Sequence, residues 1–464
     1  MQNLTVGKLI FSKTESYYGL ELCLYKANRT GLVVDSITAR GCDVILASLF
    51  WYRDVLNLET FLRKSGLKGK KRGEKPIIIA GGLQATVTPK LLAEMVDYVF
   101  IGDGDDYLGK ILDDIERGEK PSSNFLYSKG MDSVPEPAEC PLTAFLYEHH
   151  GLSDSREPRK KKEKIQKHIM RRCSRVFRLE IARGCKFKYP FCLMSGLKGY
   201  REVPTAEIIK KIKEIPQGSM SSVFAPERTS HSGWKEIQEA IVKQNIRDYG
   251  SDARLENIEK VDSDSVILGL EGVSYRLRKS IRKNFTDDFI IEKMKAFCES
   301  GRRLKFGAKI SVYYIADLPG ETEEDYREIL DFFRRIESEN WSRNLCLVPV
   351  LNPLSPKPFT SFKDVVIHPF RNYPEKWQKI MRGGTGERRW GFRIKEYKVW
   401  GCFERVIDTI VHRGEGNGYR IIGNLNDRLL KQVPEEWETQ EKISREILKK
   451  CDSVGLTDEK LLYA

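Results

Sequence analysis

Twice along this chain short apolar strands alternate with amphipathic stretches, and a basic segment parts the two runs. The pattern leaves few architectures open, because strands that are apolar throughout need helices on both faces to keep them dry. In the first run, from Gly31 to about Gly118, the strands are Leu32-Val33-Val34, Val44 to Ala47, Pro76 to Ala80 and Tyr98 to Ile101. Helical spacing fills Val55 to Lys64 and Lys90 to Met95. The expectation is a Rossmann-like parallel sheet over residues 1–150, with ligands beyond the carboxyl ends of its strands, where Gly81-Gly82 and Gly102-Asp103-Gly104 fall.

The second run places strands at Val176 to Ile181, Ser222 to Phe224, Ile246 to Ala253, Ser265 to Leu270, Lys309 to Ile315 and Leu345 to Val350. Helices such as Ala206 to Ile215 and Glu323 to Ile336 separate them. Six strand-helix units predict a partial (β/α) barrel over 176–362, with its chemistry at the carboxyl ends of the strands. Residues 363–464, Pro-rich and then Gly- and Trp-rich, read as a small α+β accessory region. The chain is thus expected to be α/β throughout its two main domains.

The break between the runs holds much of the charge. Of a net +13, residues 151–175 carry ten Lys or Arg against three Asp or Glu. This segment, basic from Arg156 onward, is either a solvated linker or a strap that contacts phosphates. Trp377, Arg388, Arg389, Trp390, Arg393, Tyr397, Lys398 and Trp400 interleave aromatic and basic groups near the C-terminus. They read either as a surface that stacks bases and neutralises phosphates or as a core-facing stripe with a solvated basic face. Nucleic acid is therefore a candidate partner through both segments.

Other classes are not supported. No apolar run approaches the ~20 residues that cross a bilayer, and the N-terminus lacks a signal-peptide pattern, so the expectation is a soluble cytoplasmic protein without a membrane partner. Ten cysteines without a dense framework fit reduced thiols. There is no Walker loop, no Gly-x-Ser-x-Gly elbow and no histidine cluster at zinc spacing.

The informative segment is Arg183-Gly184-Cys185-Lys186-Phe187-Lys188-Tyr189-Pro190-Phe191-Cys192, between a strand and a helix. It resembles the first loop of the radical S-adenosylmethionine (AdoMet) superfamily, where C-x-x-x-C-x-x-C holds three irons of a [4Fe-4S] cluster and the fourth iron takes AdoMet. Cys185 and Cys192 match the outer cysteines, and Tyr189 stands at the middle position. Further segments follow in the family's order: Phe224 to His231, Ser251 to Leu255, Gly269-Leu270-Glu271-Gly272-Val273-Ser274, and Tyr314 to Asp325 with Asp317 where relatives usually have glycine. The resemblance implies AdoMet contacts from Ser251, Arg254 and Glu271, with Glu321 shaping the site. No catalytic residue is assigned.

Gly81 to Thr86 and Asp97 to Asp105 are similar to the cobalamin-binding domain that precedes many such barrels, and cobalamin is a possible cofactor. Gly81, Gly82, Gly102 and Gly104 would let the backbone approach a flat corrin. The other reading is a domain that keeps this shape without the corrin. No Asp-x-His-x-x-Gly sequence offers a lower cobalt ligand.

Tyr189 divides the functional reading. A phenol with a pKa of about 10 needs the metal to deprotonate it, and a substitute thiolate, Cys173 being nearest in sequence, is the other way to complete three ligands. With a cluster, the resemblance implies an enzyme that reductively cleaves AdoMet, draws on an electron donor and abstracts hydrogen or transfers a methyl or methylthio group to an RNA, protein or metabolite. Without one, it implies a silent binding or scaffold protein.

Overall fold

The computed structural model describes residues 4–11, 15–150, 175–197, 199–248, 253–261, 263–300, 307–381, 393–394, 401–425, 437–457 and 461–462. Ser251, Cys173, most of the basic segment 151–175 and most of the aromatic and basic run after Trp377 lie outside these residues. The chain forms two compact units, 1–141 with 355–372 and 400–464, and 142–354 with 373–399.

The first unit is built on a six-stranded sheet. Its strands are β1 (Val6–Ile10), β2 (Leu32–Val33), β3 (Val44–Ser48), β4 (Ile77–Gly81), β5 (Tyr98–Phe100) and β6 (Leu126–Tyr127). They lie in the order β2-β1-β3-β4-β5-β6, and all pairs are parallel except β5 with β6. Val44, Ile45, Leu46 and Ala47 are buried in succession, as expected of a strand covered on both faces. The alternation that starts at Gly31 omits β1, a central strand whose apolar positions are interrupted by Gly7 and Lys8.

The accessory region expected over 363–464 is divided differently. Phe403, Val406, Ile407, Ile410 and Val411 of the helix Cys402–Arg413 share one apolar core with Tyr52, Val55, Leu58 and Phe61 of the helix Tyr52–Lys64. Ile447 and Leu448 of the helix Trp437–Asp452 join the same core. Residues 400–464 therefore complete the N-terminal unit rather than forming a region of their own. Their apolar stripe at helical spacing is buried against that unit's helices.

The second unit contains two four-stranded sheets. The first holds β7 (Leu146–His150), β8 (Arg175–Glu180), β11 (Met220–Phe224) and β12 (Arg247–Asp248), in the order β12-β11-β8-β7. The second holds β13 (Ser265–Glu271), β14 (Ala308–Ala316), β15 (Leu345–Pro353) and β16 (Arg393–Ile394), in that order. A short antiparallel pair, β9 (Ala182–Arg183) with β10 (Arg201–Glu202), stands apart. Five of the six expected strands are present, the one expected over Ile246 to Ala253 appears as the short β12 with residues 249–252 outside the described ones, and all six are parallel to their neighbours among them. The Ala253 N–H donates to the Ile267 carbonyl at 3.4 Å, which places Ala253 beside β13. Among the described residues the barrel does not close. Along β13, Val266, Leu268 and Leu270 are buried and the residues between them half-buried, the period of two that sends alternate side chains to opposite faces. No described helix is long and apolar enough to cross a membrane.

Candidate functional site

The cysteine loop leaves β9 and returns through β10, whose pairing closes its base. Gly184 sits at φ 70°, where a Cβ would run into the Gly199 carbonyl, so this position has to be glycine for the two limbs to meet. At the far end the Cys192 N–H donates to the Tyr189 carbonyl at 3.2 Å, turning the chain so that both cysteines belong to one compact loop. Burial pushes the Cys185 thiol up, against bonds from the Phe187 N–H and the Ser195 hydroxyl. Among the described residues no three His, Cys, Asp or Glu side chains are gathered as a metal site.

Tyr189 is held from several sides. Its ring stacks between Phe187 and Phe191, with centroids at 6.0 and 5.8 Å. Arg254 donates to its hydroxyl, and the same guanidinium lies 3.6 Å from the centre of the Phe187 ring. The Lys283 ammonium stands 4.7 Å from the centre of the Tyr189 ring. Burial raises the phenol to about 12, against the pull of Arg254. The predicted Arg254 thus reaches the loop, held in turn by Glu256.

Glu271 ends β13 in the left-handed region, at φ 66°. The pairing register with β14 shifts between Gly269 and Glu271, a bulge that re-aims the side chain. Its carboxylate meets the Lys283 ammonium at 3.3 Å. A Cβ on Gly269 would collide with the Glu271 carboxylate and come within 3.0 Å of the Lys283 nitrogen, so the absence of a side chain at 269 is what gives this pair its room. Nothing in the sequence marks Lys283 as a site residue. It lies twelve residues beyond Glu271 and outside any periodic pattern; only the turn after the helix Tyr275–Ser280 brings it back.

Ser274 caps that helix, its hydroxyl accepting from the Leu277 N–H at 3.2 Å and donating to Asp325 at 2.6 Å. Glu321 accepts from the Tyr326 hydroxyl at 2.8 Å and the Leu318 N–H at 3.4 Å, and so closes its own turn. Burial raises its carboxyl. Asp317 adopts φ 67°, a left-handed conformation that glycine takes freely and aspartate tolerates.

In the first unit the four glycines differ. Gly82, at φ 94°, lies against the Leu49 backbone, whose carbonyl oxygen would be 2.6 Å from a Cβ. Gly102, at φ 100°, lies against Ala138, with which it forms a parallel bridge. The close approach these two permit is to the protein's own backbone. Gly81 has open space around it, and Gly104 makes ordinary contact with Cys23 and Phe100.

Comparison with known proteins agrees with this architecture. Residues 32–128 match the family described as radical SAM proteins, N-terminal, and residues 179–333 match the radical SAM superfamily. The chain thus carries a radical SAM domain preceded by the N-terminal domain of radical SAM proteins, and the radical SAM family implies a [4Fe-4S] cluster and AdoMet as cofactors.

It is 23% identical over 200 residues (35% of this chain, 41% of the relative) to tRNA-2-methylthio-N(6)-dimethylallyladenosine synthase of Fusobacterium nucleatum. It is 23% identical over 291 residues (57% and 56%) to ribosomal protein uS12 methylthiotransferase RimO of a Synechococcus species. An uncharacterised protein of Methanocaldococcus jannaschii is 22% identical over 254 residues (52% of each). The chain thus spans about half the length of these relatives. The solved structure of the cobalamin-dependent AdoMet radical enzyme OxsB, with aqua-cobalamin and AdoMet bound, is similar in fold, at a TM-score of 0.51 and 13% identity over 99% of this chain and 80% of that one.

At the motif's three positions in the sequence, two residues are cysteine and the middle one is tyrosine. Cys185 and Cys192 offer thiols, while Tyr189 offers a phenol oxygen with a cation already against it.

Proposed function

We propose that this chain is an AdoMet-dependent enzyme of the radical class that carries a methyl or methylthio group to an RNA, protein or metabolite acceptor. One observation carries the reading: Glu271, Lys283, Tyr189 and Arg254 form an unbroken chain of contacts joining the end of β13, the cysteine loop and the segment before the helical turn Leu255–Lys260. That is where the ligands of a (β/α) architecture gather. The names of the relatives, two of them methylthiotransferases or a methylthio-forming synthase, support the transferred group.

Cys185 and Cys192 would hold the cluster, with Tyr189 as the third side chain, and Glu271 would face AdoMet. A reduced [4Fe-4S] centre supplies the electron for cleaving the sulfonium. Arg254 pulls the Tyr189 phenol towards its ionised form, but burial outweighs that pull and also raises the Cys185 thiol, so a bound metal would have to deprotonate both. Phe187, Phe191 and Phe285 limit water around Arg254 and Tyr189. Cobalamin, bound in the OxsB structure, would belong to the first unit, where Gly81 leaves open space.

Anaerobic reconstitution with iron and sulfide tests the reading. About four irons per chain, absorbance near 400 nm and reductive cleavage of AdoMet are expected. Absence of bound iron overturns it.

A second reading, a cluster-free binding protein, is favoured by the Tyr189 phenol itself, which burial holds protonated near neutrality. Under that reading Tyr189→Cys gains a cluster that the natural chain lacks.

A further inference from the structure

We infer that exposed cations beside the candidate site, Lys188 on the cysteine loop with Lys279 and Arg282 on the segment after β13, bind the phosphates of an unpaired RNA loop and present it to the site. The inference rests on the functional reading above and narrows its acceptor to RNA. Residues 183–192 carry three Lys or Arg and residues 275–284 carry five, with no Asp or Glu in either, in a chain that has 66 acids among its 464 residues. Local pairing accounts for only part of this imbalance. Arg183, Arg278 and Lys283 are matched internally by Glu180, Asp287 and Glu271. Lys186 reaches Glu202 at 3.1 Å, and Arg276 reaches Asp325 at 2.5 Å. Lys188, Lys279 and Arg282 are exposed, and no carboxylate partner of theirs is found among the described residues.

Tertiary structure brings the three together. The Arg282 N–H closes a turn on the Lys279 carbonyl at 3.0 Å. Arg282 itself adopts φ 67°, a left-handed conformation that arginine does not favour, and its guanidinium donates to the Lys188 carbonyl at 2.9 Å. Three positive residues thus share one surface region next to Tyr189, where a polyanion would relieve a repulsion that the protein leaves unrelieved. Aromatic rings decide which polyanion. Phe187, Tyr189 and Phe191 stack in series, alternate with Lys186 and Lys188 along the loop and are each half-buried. An unpaired base offers a flat face that continues such a stack while its phosphate meets a cation, and an acidic peptide offers only the charge. RNA presents unpaired bases in its loops, whereas duplex DNA keeps them paired.

Fluorescence anisotropy of the full chain with a labelled RNA hairpin bearing an unpaired loop, titrated at rising potassium chloride, tests this. The natural protein should bind the hairpin more tightly than a fully paired RNA duplex or a DNA hairpin of the same sequence, and polyglutamate should not displace it. Lys188→Gln, Lys279→Gln and Arg282→Gln combined should weaken hairpin binding on the order of tenfold. The slope of log affinity against log salt should flatten by about 2, since each phosphate contact on a single strand contributes about 0.7. Should the triple variant not fold, Lys188→Gln and Lys279→Gln singly should each flatten the slope by about 0.7. Binding through the basic segment 151–175 would instead leave the triple variant's affinity and slope at the natural values, which overturns the inference. Equal affinity for the duplex or the DNA hairpin, or displacement by polyglutamate, overturns it as well. None of these outcomes depends on iron: a chain that binds the hairpin through these residues yet takes up no iron on reconstitution loses the functional reading and keeps the RNA surface.

Discussion

The Lys357 ammonium lies 3.0 Å from the Asp408 carboxylate, in the interior of the N-terminal unit, where Asp408 is 4% exposed. Ser355 also donates to Asp408. His412 is seated by a 2.8 Å contact between its Nδ1 and the Asp408 carbonyl, with Gln84 Nε2 3.3 Å from its Nε2. A neutral ring that donates from Nδ1–H to this carbonyl leaves Nε2 to accept from the Gln84 amide, and burial favours that uncharged form. This network joins the segment after β15 to the helix Cys402–Arg413 and to Gln84, just beyond β4.

Its pH dependence follows from the signs. Burial opposes the charge on Asp408, but Lys357, His412 and Ser355 hold its carboxyl far below the ordinary range. Burial, then Lys357, lowers the His412 pKa. Both groups take up protons more readily when unfolded, so both contribute stability above their unfolded values that is lost on acidification. Denaturant midpoints should fall first as pH drops through about 6.5 and again below about 4. Asp408→Asn should cost about 3 kcal/mol at neutral pH, because it leaves the Lys357 charge without its partner, and should shrink the second fall, the remainder coming from other lowered carboxyls such as Asp43 and Glu202.

Glu321 carries the opposite sign. Burial raises its carboxyl, so its contribution is fully present below the unfolded value and is lost as pH rises through the folded one. At neutral pH the raised carboxyl therefore costs stability relative to acid. Glu321→Gln keeps the oxygen that accepts from Tyr326 and loses only the long 3.4 Å bond from the Leu318 N–H. It should melt at the same temperature or higher at pH 7, and the gain should vanish near pH 4.

Gly102→Ala would drive a Cβ into the Ala138 backbone at φ 100°. The cost should be about 2 kcal/mol or more, read as a lower urea midpoint with an unchanged slope. Gly81→Ala, where nothing lies within 4 Å, should stay within about 0.5 kcal/mol of the natural protein.

Tyr189→Phe removes the oxygen to which Arg254 donates. On the ligation reading, reconstituted iron should drop from about four per chain towards zero, while Tyr189→Cys should hold it near four. Equal iron in the natural protein and the Tyr189→Phe variant would show that the oxygen is not a ligand.

Sequence alone determined much of this protein. Continuous apolar runs such as Val44 to Ala47 and the alternation along Val266, Leu268 and Leu270 placed the strands, because burial on two faces or one writes its period directly into the chain. The order of the cysteine loop, the Glu271 segment and the Pro319-Gly320-Glu321 turn along those strands placed the candidate site at strand ends. Three things needed the tertiary structure. The helix Cys402–Arg413 could have covered any apolar face; only packing assigned it to Tyr52, Val55 and Phe61. Gly82 and Gly102 look alike as glycines, and their neighbours Leu49 and Ala138, distant in sequence, gave them their reason. Lys283 carries no pattern, since one charged residue is indistinguishable from the solvated lysines around it until a turn sets it against Glu271. Local periodicity reports which side of an element is buried; which partners meet across space depends on chain crossings that no short window of sequence contains.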